Sequence, residues 1–395
     1  MTELSDVVVL SATRTAIGRY GGGLADVPPC DLAATVLREA VRRAGVEPAD
    51  IGHAVFGNVI HTEARDMYLS RVAVVNGGLP VSTPAFTVNR LCGSGLQAII
   101  SAAQAITLGD ADAAVAGGAE SMSRAQYWLP AMRWGQRMQD GVAIDAMVGA
   151  LTDPFESCHM GVTAENVATE YGISRADQDA LAAQSHHRAA AAAAAGYFDE
   201  QITPVQAPAK KGTVEVVADE HIRPDVTAEG MARLRPAFAS DGTVTAGNAS
   251  GVNDAAAAVV LASDSYARGH GATPLGRLVA YSHAGVEPRV MGIGPIPAVR
   301  KVLERSGLKL DDIDVFEVNE AFAAQALAVV RELGLPPDRT NPNGSGISLG
   351  HPIGATGAIL VVKALYELRR TAGRYALVTM CIGGGQGIAA IFERA

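Results

Sequence analysis

The hydrophobic positions of this chain follow two alternating periods. Short apolar runs such as 85–88 and 113–118 fit buried β-strands, whereas 31–45 and 96–108 place apolar residues every three or four positions, as amphipathic helices do. Strands that alternate with helices of this length are typical of a mostly parallel sheet covered by helices. The pattern therefore predicts an α/β fold.

The same order of elements occurs twice along the chain. A helix that ends at Gly45 precedes a strand that ends at Asn58, and a helix that ends at Gly307 precedes a strand that ends at Asn319. Both pairs lie about 262 residues apart, and the strand-like run 113–118 matches 376–381 in the same register. An ordered set of matches indicates an internal duplication.

The duplication predicts three regions. Residues 1–120, completed by about 252–273, form the N-terminal half, and residues 274–395 form the C-terminal half. Residues 121–251 have no counterpart, and an insertion of this length off a duplicated core is usually functional. We expect it to form a loop domain that binds ligand and makes oligomer contacts. Its strongest helix is predicted between Ser174, with Asp177 three residues later, and Gly196.

Composition narrows the function classes. The 395 residues carry a net charge of −9 without a long basic block, so nucleic acid and anionic membranes are not expected partners. No apolar run reaches the roughly 20 residues that span a bilayer. The four cysteines are widely spread and residues 1–10 show no secretory leader, so we expect a reduced cytoplasmic protein without disulfides or a zinc site.

Cys92 is the first candidate catalytic residue. It lies between the predicted strand 85–88 and the predicted helix 96–108, and the positive end of a helix stabilises a thiolate, so its pKa is expected to fall. Gly93 and Gly95 allow a carbonyl group to approach backbone N–H donors. A cysteine considered alone is more often a small buried hydrophobe.

His351 occupies the position in the second half that Cys92 occupies in the first, 259 residues earlier. Packing of the halves about a pseudo-twofold axis would bring both helix N-termini to one cleft. A positive helix end is expected to keep the imidazole neutral and able to accept a proton. A histidine hydrogen-bonded within its own turn is the alternative.

Two further residues complete the candidate set. Cys381 ends a buried strand that runs into the glycines 383–385, where backbone donors would lie beside a second thiol held protonated. Asn319 ends its strand and is positioned to hold a water or a substrate oxygen, although an Asn at a strand end is commonly a turn residue.

At these residues the chain resembles the thiolase family, in particular bacterial β-ketothiolases of the acetyl-CoA acetyltransferase type. The resemblance covers nearly the whole chain and rests on four motifs in order, namely 89–95, 319–322, 350–354 and 381–385. It implies a duplicated five-layer αβαβα fold with an inserted loop domain. It also implies acyl-CoA, acetyl-CoA and coenzyme A as substrates, no metal or other cofactor, and a homotetramer.

The resemblance also implies a role for each matched residue. Cys92 would take the acyl group, His351 would activate it, and Cys381 would move the α-proton of acetyl-CoA. Asn319, through a water, and His351 would form one oxyanion site, and the N–H groups of Cys92 and Gly383 the other. The matched coenzyme A contacts are Leu151, His159, Met160, Arg223, Phe238, Ala249 and Ser250, and the matched acyl-pocket residues are Met291, Ala321 and Phe322.

One segment departs from the family pattern. Residues 341–348 differ from the glycine-alanine segment that usually precedes the histidine matched by His351, a difference expected to change the width of the pocket rather than the catalytic atoms.

Two other functions remain open. A decarboxylating ketosynthase-type enzyme shares the duplicated fold, but is expected to pair its cysteine with two histidines. A non-catalytic acyl-CoA-binding protein would not need Cys92, His351 and Cys381 together.

Overall fold

A computed structural model describes residues 6–395 of the chain. Residues 1–5 lie outside the described residues. They belong to the segment 1–10, in which no secretory leader is expected from the sequence. The strands are β1 (Val7–Arg14), β2 (Gly18–Arg19), β3 (Ile51–Gly57), β4 (Ala85–Val88), β5 (Ala113–Ser121), β6 (Tyr127–Trp128), β7 (Ile144–Asp145), β8 (Val205–Pro208), β9 (Thr213–Val216), β10 (Asn253–Ser263), β11 (Gly276–Gly285), β12 (Val315–Val318), β13 (Tyr375–Ile382) and β14 (Gln386–Arg394). The α-helices are α1 (Pro29–Ala44), α2 (Leu69–Gly77), α3 (Ser94–Leu108), α4 (Ala146–Ala150), α5 (Met160–Glu170), α6 (Arg175–Ala194), α7 (Ala228–Ala232), α8 (Asp264–Gly269), α9 (Pro295–Ser306), α10 (Ala323–Leu333), α11 (Gly346–Leu349) and α12 (Thr356–Thr371).

The sheet confirms the internal duplication. The first half has the strand order β4-β3-β5-β10-β1, and the second half has β12-β13-β14-β11, with Thr340 bridging β12 in parallel where β4 would stand. In both halves the first strands pair in parallel and the last three pair antiparallel. A short β1–β11 pairing joins the halves.

The sheet is therefore mixed, and the expectation of a mostly parallel sheet was wrong. Only three residues, 383–385, separate β13 from β14, and so short a connection joins antiparallel neighbours. β10 lies antiparallel between β1 and β5, which are distant from it in sequence. Hydrophobic runs alone did not reveal these pairings.

Side chains that alternate along the strands sort into five layers. In β1, Val7 and Val9 face the cluster that contains α3 and α12, whereas Val8 and Leu10 face the cluster of α1 and α2. In β13, alternate residues face the same central cluster, and Leu377 faces the cluster of α9 and α10. Helices thus cover both outer faces and fill the space between the two half-sheets, which confirms the αβαβα arrangement.

The central helix α3 accounts for a long apolar segment of the described residues. The stretch Leu91–Leu108 has 18 residues with a mean hydropathy of 1.4, enough by length and composition to cross a membrane. Its buried side chains instead pack against both half-sheets and α12. Burial in the middle layer accounts for this apolar character.

The first turns of α3 and α12 cross in backbone contact. A Cβ atom on Gly95 would lie 2.7 Å from the backbone nitrogen of Ala358, and a Cβ atom on Gly357 would lie 2.3 Å from that of Leu96. Side chains larger than hydrogen cannot fit at this crossing. The crossing brings together the chain segments just before both helices, which carry Cys92 and His351.

Residues 122–252 connect β5 to β10 and contain β6 to β9 and α4 to α7. The predicted helix is α6, which begins after Ser174 with a capping box to Asp177. The insertion is attached to the core by a buried ion pair, because the guanidinium of Arg14 lies 2.7 Å from the carboxylate of Asp219. The division into domains at these boundaries stays a prediction.

Replacement of Gly95 by alanine should lower the free energy of unfolding by about 1–3 kcal/mol, because the added methyl group overpacks the helix crossing. Gly269→Ala is the matched control, since a Cβ atom there meets open space. Urea unfolding of both variants checks the prediction. Equal stability of the two variants would show that the crossing has room for a side chain.

Candidate active site

The Cys92 turn is held by its neighbouring side chains. Leu91 has φ of +45°, a conformation that costs energy for a leucine and is often found at functional sites. The Asn89 carboxamide oxygen accepts from the Leu91 N–H at 2.9 Å. The Ser94 hydroxyl accepts from the Arg90 N–H at 2.8 Å and donates to the Leu91 carbonyl at 2.6 Å. These contacts fix the backbone on both sides of the thiol.

The backbone N–H groups of Cys92 and Gly383 lie close enough to the Cys92 sulfur to act against an increase of its pKa. These are the two donors that the sequence predicts for an oxyanion site. Burial nevertheless raises the pKa of the thiol to about 11, the Glu120 carboxylate adds to the increase, and the two N–H donors oppose it. The expectation of a lowered pKa was therefore wrong for the free enzyme, because loss of solvation outweighs the helix-end donors.

His351 is buried and its hydrogen bonds define its tautomer. The Thr356 hydroxyl donates to the Pro352 carbonyl at 2.9 Å, so it accepts from Nδ1–H of His351 at 2.7 Å. Nε2 is then the unprotonated nitrogen and can take a proton. Burial lowers the pKa of His351 to about 4, which confirms the neutral ring, although burial rather than a helix end is the cause.

Asn319 lies beside the histidine, at the end of β12. Its side-chain nitrogen approaches Nε2 of His351 at 3.4 Å, and its buried carboxamide oxygen has no partner among the described residues. Gly346 leaves room for this amide, since a Cβ atom there would lie 2.7 Å from the Asn319 oxygen. The segment 341–348, which differs from the family pattern, thus contacts the site through Gly346.

Cys381 lies at the end of β13 with a fully buried side chain. Burial and the proximity of Cys92 raise the pKa of the Cys381 thiol, so it is protonated in the free enzyme. Around it lies an apolar cluster formed by the C-terminal half and the insertion, which contains Met160, Phe238, Ala249, Met291, Ala321 and Phe322. The three predicted acyl-pocket residues and three predicted coenzyme A contacts meet here.

His159 is oriented to donate a hydrogen bond. Its Nδ1 accepts from the Gly161 N–H at 3.0 Å, so the ring proton is on Nε2. The ring stacks on Phe238 with centroids 4.7 Å apart, and Phe238 meets Phe322 edge-on at 6.1 Å. The backbone of Ser250 donates to the Ala321 carbonyl at 2.9 Å, which ties the end of the insertion to the acyl pocket.

Arg223 lies apart from the Cys381 cluster, in a cleft of about 610 Å³. Met147 and Val252 line this cleft and also pack against the apolar cluster that Cys92 and Leu151 contact, so the cleft and the Cys92 turn border the same cluster. Sequence reasoning did not identify its other polar lining residues, Arg19, Tyr20, Glu220 and His221. No spacing in the sequence relates these residues to one another.

Sequence reasoning also missed residues that hold or influence the candidate catalytic residues. Thr356, which sets the tautomer of His351, and Glu120, which lies near Cys92, are both buried. The sequence did contain one signal for Glu120, because a carboxylate at the end of the alanine-rich strand β5 indicates that this strand ends at a polar site. The structure brings Cys92 and Ile353, two residues after His351, into one cluster, so both predicted turns share the cleft.

The raised pKa of Cys92 predicts the reactivity of the free enzyme. Alkylation of Cys92 by iodoacetamide should accelerate about tenfold per pH unit from pH 7 to pH 9, because only the thiolate reacts. Buried Cys30 should react more slowly, and peptide mass mapping separates the two sites. A rate plateau with a midpoint below pH 8 would contradict the raised pKa.

The chain matches two family models, the N-terminal domain of thiolase over residues 7–265 and its C-terminal domain over residues 272–394. It is 65% identical over 390 residues to the beta-ketothiolase BktB of Cupriavidus necator, covering 98% of this chain and 99% of that one. It is 50% identical to an acetyl-CoA acetyltransferase of Chromobacterium violaceum, with 98% and 100% covered.

Solved structures agree with these matches. The Bacillus anthracis acetyl-CoA acetyltransferase superposes with a TM-score of 0.98 at 46% identity, with 99% of both chains covered. Human mitochondrial 3-ketoacyl-CoA thiolase in complex with CoA superposes with a TM-score of 0.96 at 44% identity, with 99% of this chain and 98% of that one covered. The chain belongs to the thiolase family.

Proposed function

We propose that this thiolase interconverts two acyl-CoA molecules with a 3-ketoacyl-CoA and free coenzyme A through an acyl group on Cys92. The observation that carries the proposal is that the Cys92 turn packs against the turn after Cys381, where a Cβ atom on Gly93 would lie 2.6 Å from the Ile382 side chain. The backbone N–H groups of Cys92 and Gly383 and the Cys381 thiol therefore lie beside the Cys92 sulfur. These groups supply a nucleophile, a site for negative charge and a second proton carrier. Covalent capture divides one difficult acyl transfer into two easier steps.

In the first step, Nε2 of His351 takes the Cys92 proton as the sulfur attacks the thioester carbonyl. The carbonyl oxygen becomes negative and is stabilised by the N–H groups of Cys92 and Gly383. The carbon–sulfur bond to coenzyme A then breaks, and His351 returns the proton to the leaving thiolate. A neutral histidine suits this exchange because it holds no proton at Nε2 beforehand.

In the second step, the neutral imidazole of His351 takes the Cys381 thiol proton, and the resulting Cys381 thiolate removes an α-proton from acetyl-CoA. The enolate attacks the acyl carbon, a carbon–carbon bond forms, the bond to Cys92 breaks, and His351 returns its proton to the Cys92 sulfur. Asn319, through a water, and His351 stabilise the enolate oxygen. In the reverse reaction the Cys381 thiol protonates the enolate, and its raised pKa favours this protonated form in the free enzyme.

The apolar cluster around Cys381 supports an acyl-CoA substrate. Met160, Met291 and Phe322 offer an apolar wall to the acyl chain, and the protonated Nε2 of His159 is suited to a carbonyl group of the pantetheine arm. Arg223, in the neighbouring cleft, would pair with phosphate groups. All steps move acyl groups and protons, so the proposed route needs no metal or redox cofactor.

We also propose that the protein is a cytoplasmic homotetramer. Four free thiols suit a reducing compartment, which cell fractionation checks. Apolar side chains are exposed along the insertion between residues 127 and 144, including Trp134 at 91% and Met138 at 79% exposure. An apolar surface of this kind commonly marks a protein interface, and a second copy of the chain is the partner that the family resemblance implies.

Turnover of acetoacetyl-CoA with free coenzyme A should fall at least about a thousandfold in Cys92→Ser, because the hydroxyl is a far weaker nucleophile beside the same base. Loss of the 3-ketothioester absorbance measures the rate. Cys158→Ser is the control and should retain wild-type turnover. Retained activity in Cys92→Ser would remove the assigned nucleophile, and decarboxylation of malonyl-CoA by the wild type would favour a ketosynthase.

The molar mass in solution should be four times that of the chain, as measured by light scattering after gel filtration. The double variant Trp134→Asp and Met138→Asp should give smaller assemblies, because the introduced charges would be buried without partners. The control Lys210→Asp changes a residue on the exposed β8–β9 turn and should leave the mass unchanged. A wild-type mass equal to that of one chain would contradict the tetramer.

A further inference from the structure

Glu120 is a fully buried carboxylate at the end of β5, and each of its oxygens accepts two hydrogen bonds. Oε1 accepts from the side-chain nitrogen of Asn58 and from the Ile60 N–H, both at 3.1 Å. Oε2 accepts from the Val59 N–H at 3.1 Å and from the Gly354 N–H at 2.8 Å. Three donors belong to the loop after β3 in the first half, and the fourth follows His351 in the second half.

The turn that contains Gly354 packs closely against the backbone of the first half. A Cβ atom on Gly118 would lie 2.1 Å from the Gly354 carbonyl oxygen, and one on Gly57 would lie 2.8 Å from it. The carbonyl thus has close backbone neighbours, while the N–H of the same residue is fixed by Glu120. The carboxylate is a polar link between the half that carries Cys92 and the turn that carries His351.

The four donors also bear on the charge of Glu120. All of them point at its oxygens, an arrangement that suits an ionised carboxylate. Burial raises the pKa of Glu120 to about 8, and the backbone N–H groups of Ile60, Val59 and Gly354 oppose that increase. The charge of Asp66 adds to the increase in the pKa of Glu120, and the charge of Glu120 in turn opposes ionisation of Cys92.

We propose that Glu120 is a positioning residue that fixes the His351 turn against the Cys92 turn and, in its ionised form, places a negative charge near the resting thiol. The proposal rests on the proposed function, since it requires Cys92 and His351 to react in one cleft. Glu120 touches neither substrate nor reacting atoms. Its effect passes through the Gly354 N–H and through its field at Cys92.

Two variants test the length of the Glu120 side chain and its charge separately. Glu120→Asp keeps the charge but is one methylene too short to hold Gly354 and the 58–60 loop together, so kcat should fall roughly 10- to 100-fold with KM nearly unchanged. Glu120→Gln keeps the length but removes the charge, so alkylation of Cys92 by iodoacetamide at a fixed pH of 8.5 should be faster than in the wild type.

Asp66→Asn is the matched control. Asp66 is also fully buried and accepts from the N–H groups of Thr62 and Glu63, but its hydrogen bonds stay within the first half. Its thermal midpoint should fall like those of the Glu120 variants, while kcat per folded molecule stays near wild type and alkylation of Cys92 is no faster than in the wild type. Circular dichroism and the thermal midpoint give the folded fraction of each variant.

A lower kcat in Glu120→Asp than in Asp66→Asn, together with faster alkylation in Glu120→Gln, supports the positioning role. A kcat in Glu120→Asp equal to that of Asp66→Asn overturns it, as does unchanged or slower alkylation in Glu120→Gln. Absence of turnover in the wild type would be a failure of the proposed function instead. The alkylation comparison does not need turnover and still tests Glu120 in that case.

Discussion

The close crossing of α3 and α12 is the constraint on which the site depends. Gly95 and Gly357 allow the two backbones to touch, which places the turns before both helices in one cleft at the centre of five layers. Neither half contains a complete set of reactive groups, since Cys92 comes from the first and His351 and Cys381 from the second. The duplicated fold therefore makes the site by packing its own two copies together.

Within that cleft the free enzyme keeps its reactive groups uncharged. Burial raises the pKa values of both thiols and lowers that of His351, so Cys92 and Cys381 carry protons and the imidazole does not. Negative charge develops only when a thioester is attacked, and it then meets N–H donors already directed at the sulfur. The insertion closes the site with an apolar wall, in which water competes poorly for those donors.

Much of this arrangement was predictable from residue patterns. The repeat related Cys92 to His351, and the family resemblance implied Met291, Ala321 and Phe322 as acyl-pocket residues, which the structure places in one cluster with Cys381. The pKa of Cys92 was predicted in the wrong direction, because a helix N-terminus is visible in a sequence but burial and the Glu120 carboxylate come from elements distant along the chain. Thr356 was missed for a different reason, because it lies only five residues after His351 but only the fold shows which nitrogen of the imidazole it binds.

The crystal structure of the enzyme acetylated by acetyl-CoA tests the central claim most directly. The acetyl group should be bonded to the Cys92 sulfur, with its carbonyl oxygen about 3 Å from the backbone nitrogens of both Cys92 and Gly383. An acetyl group on another residue, or a carbonyl oxygen directed away from these two donors, would contradict a nucleophile and an oxyanion site built by the convergence of the two halves.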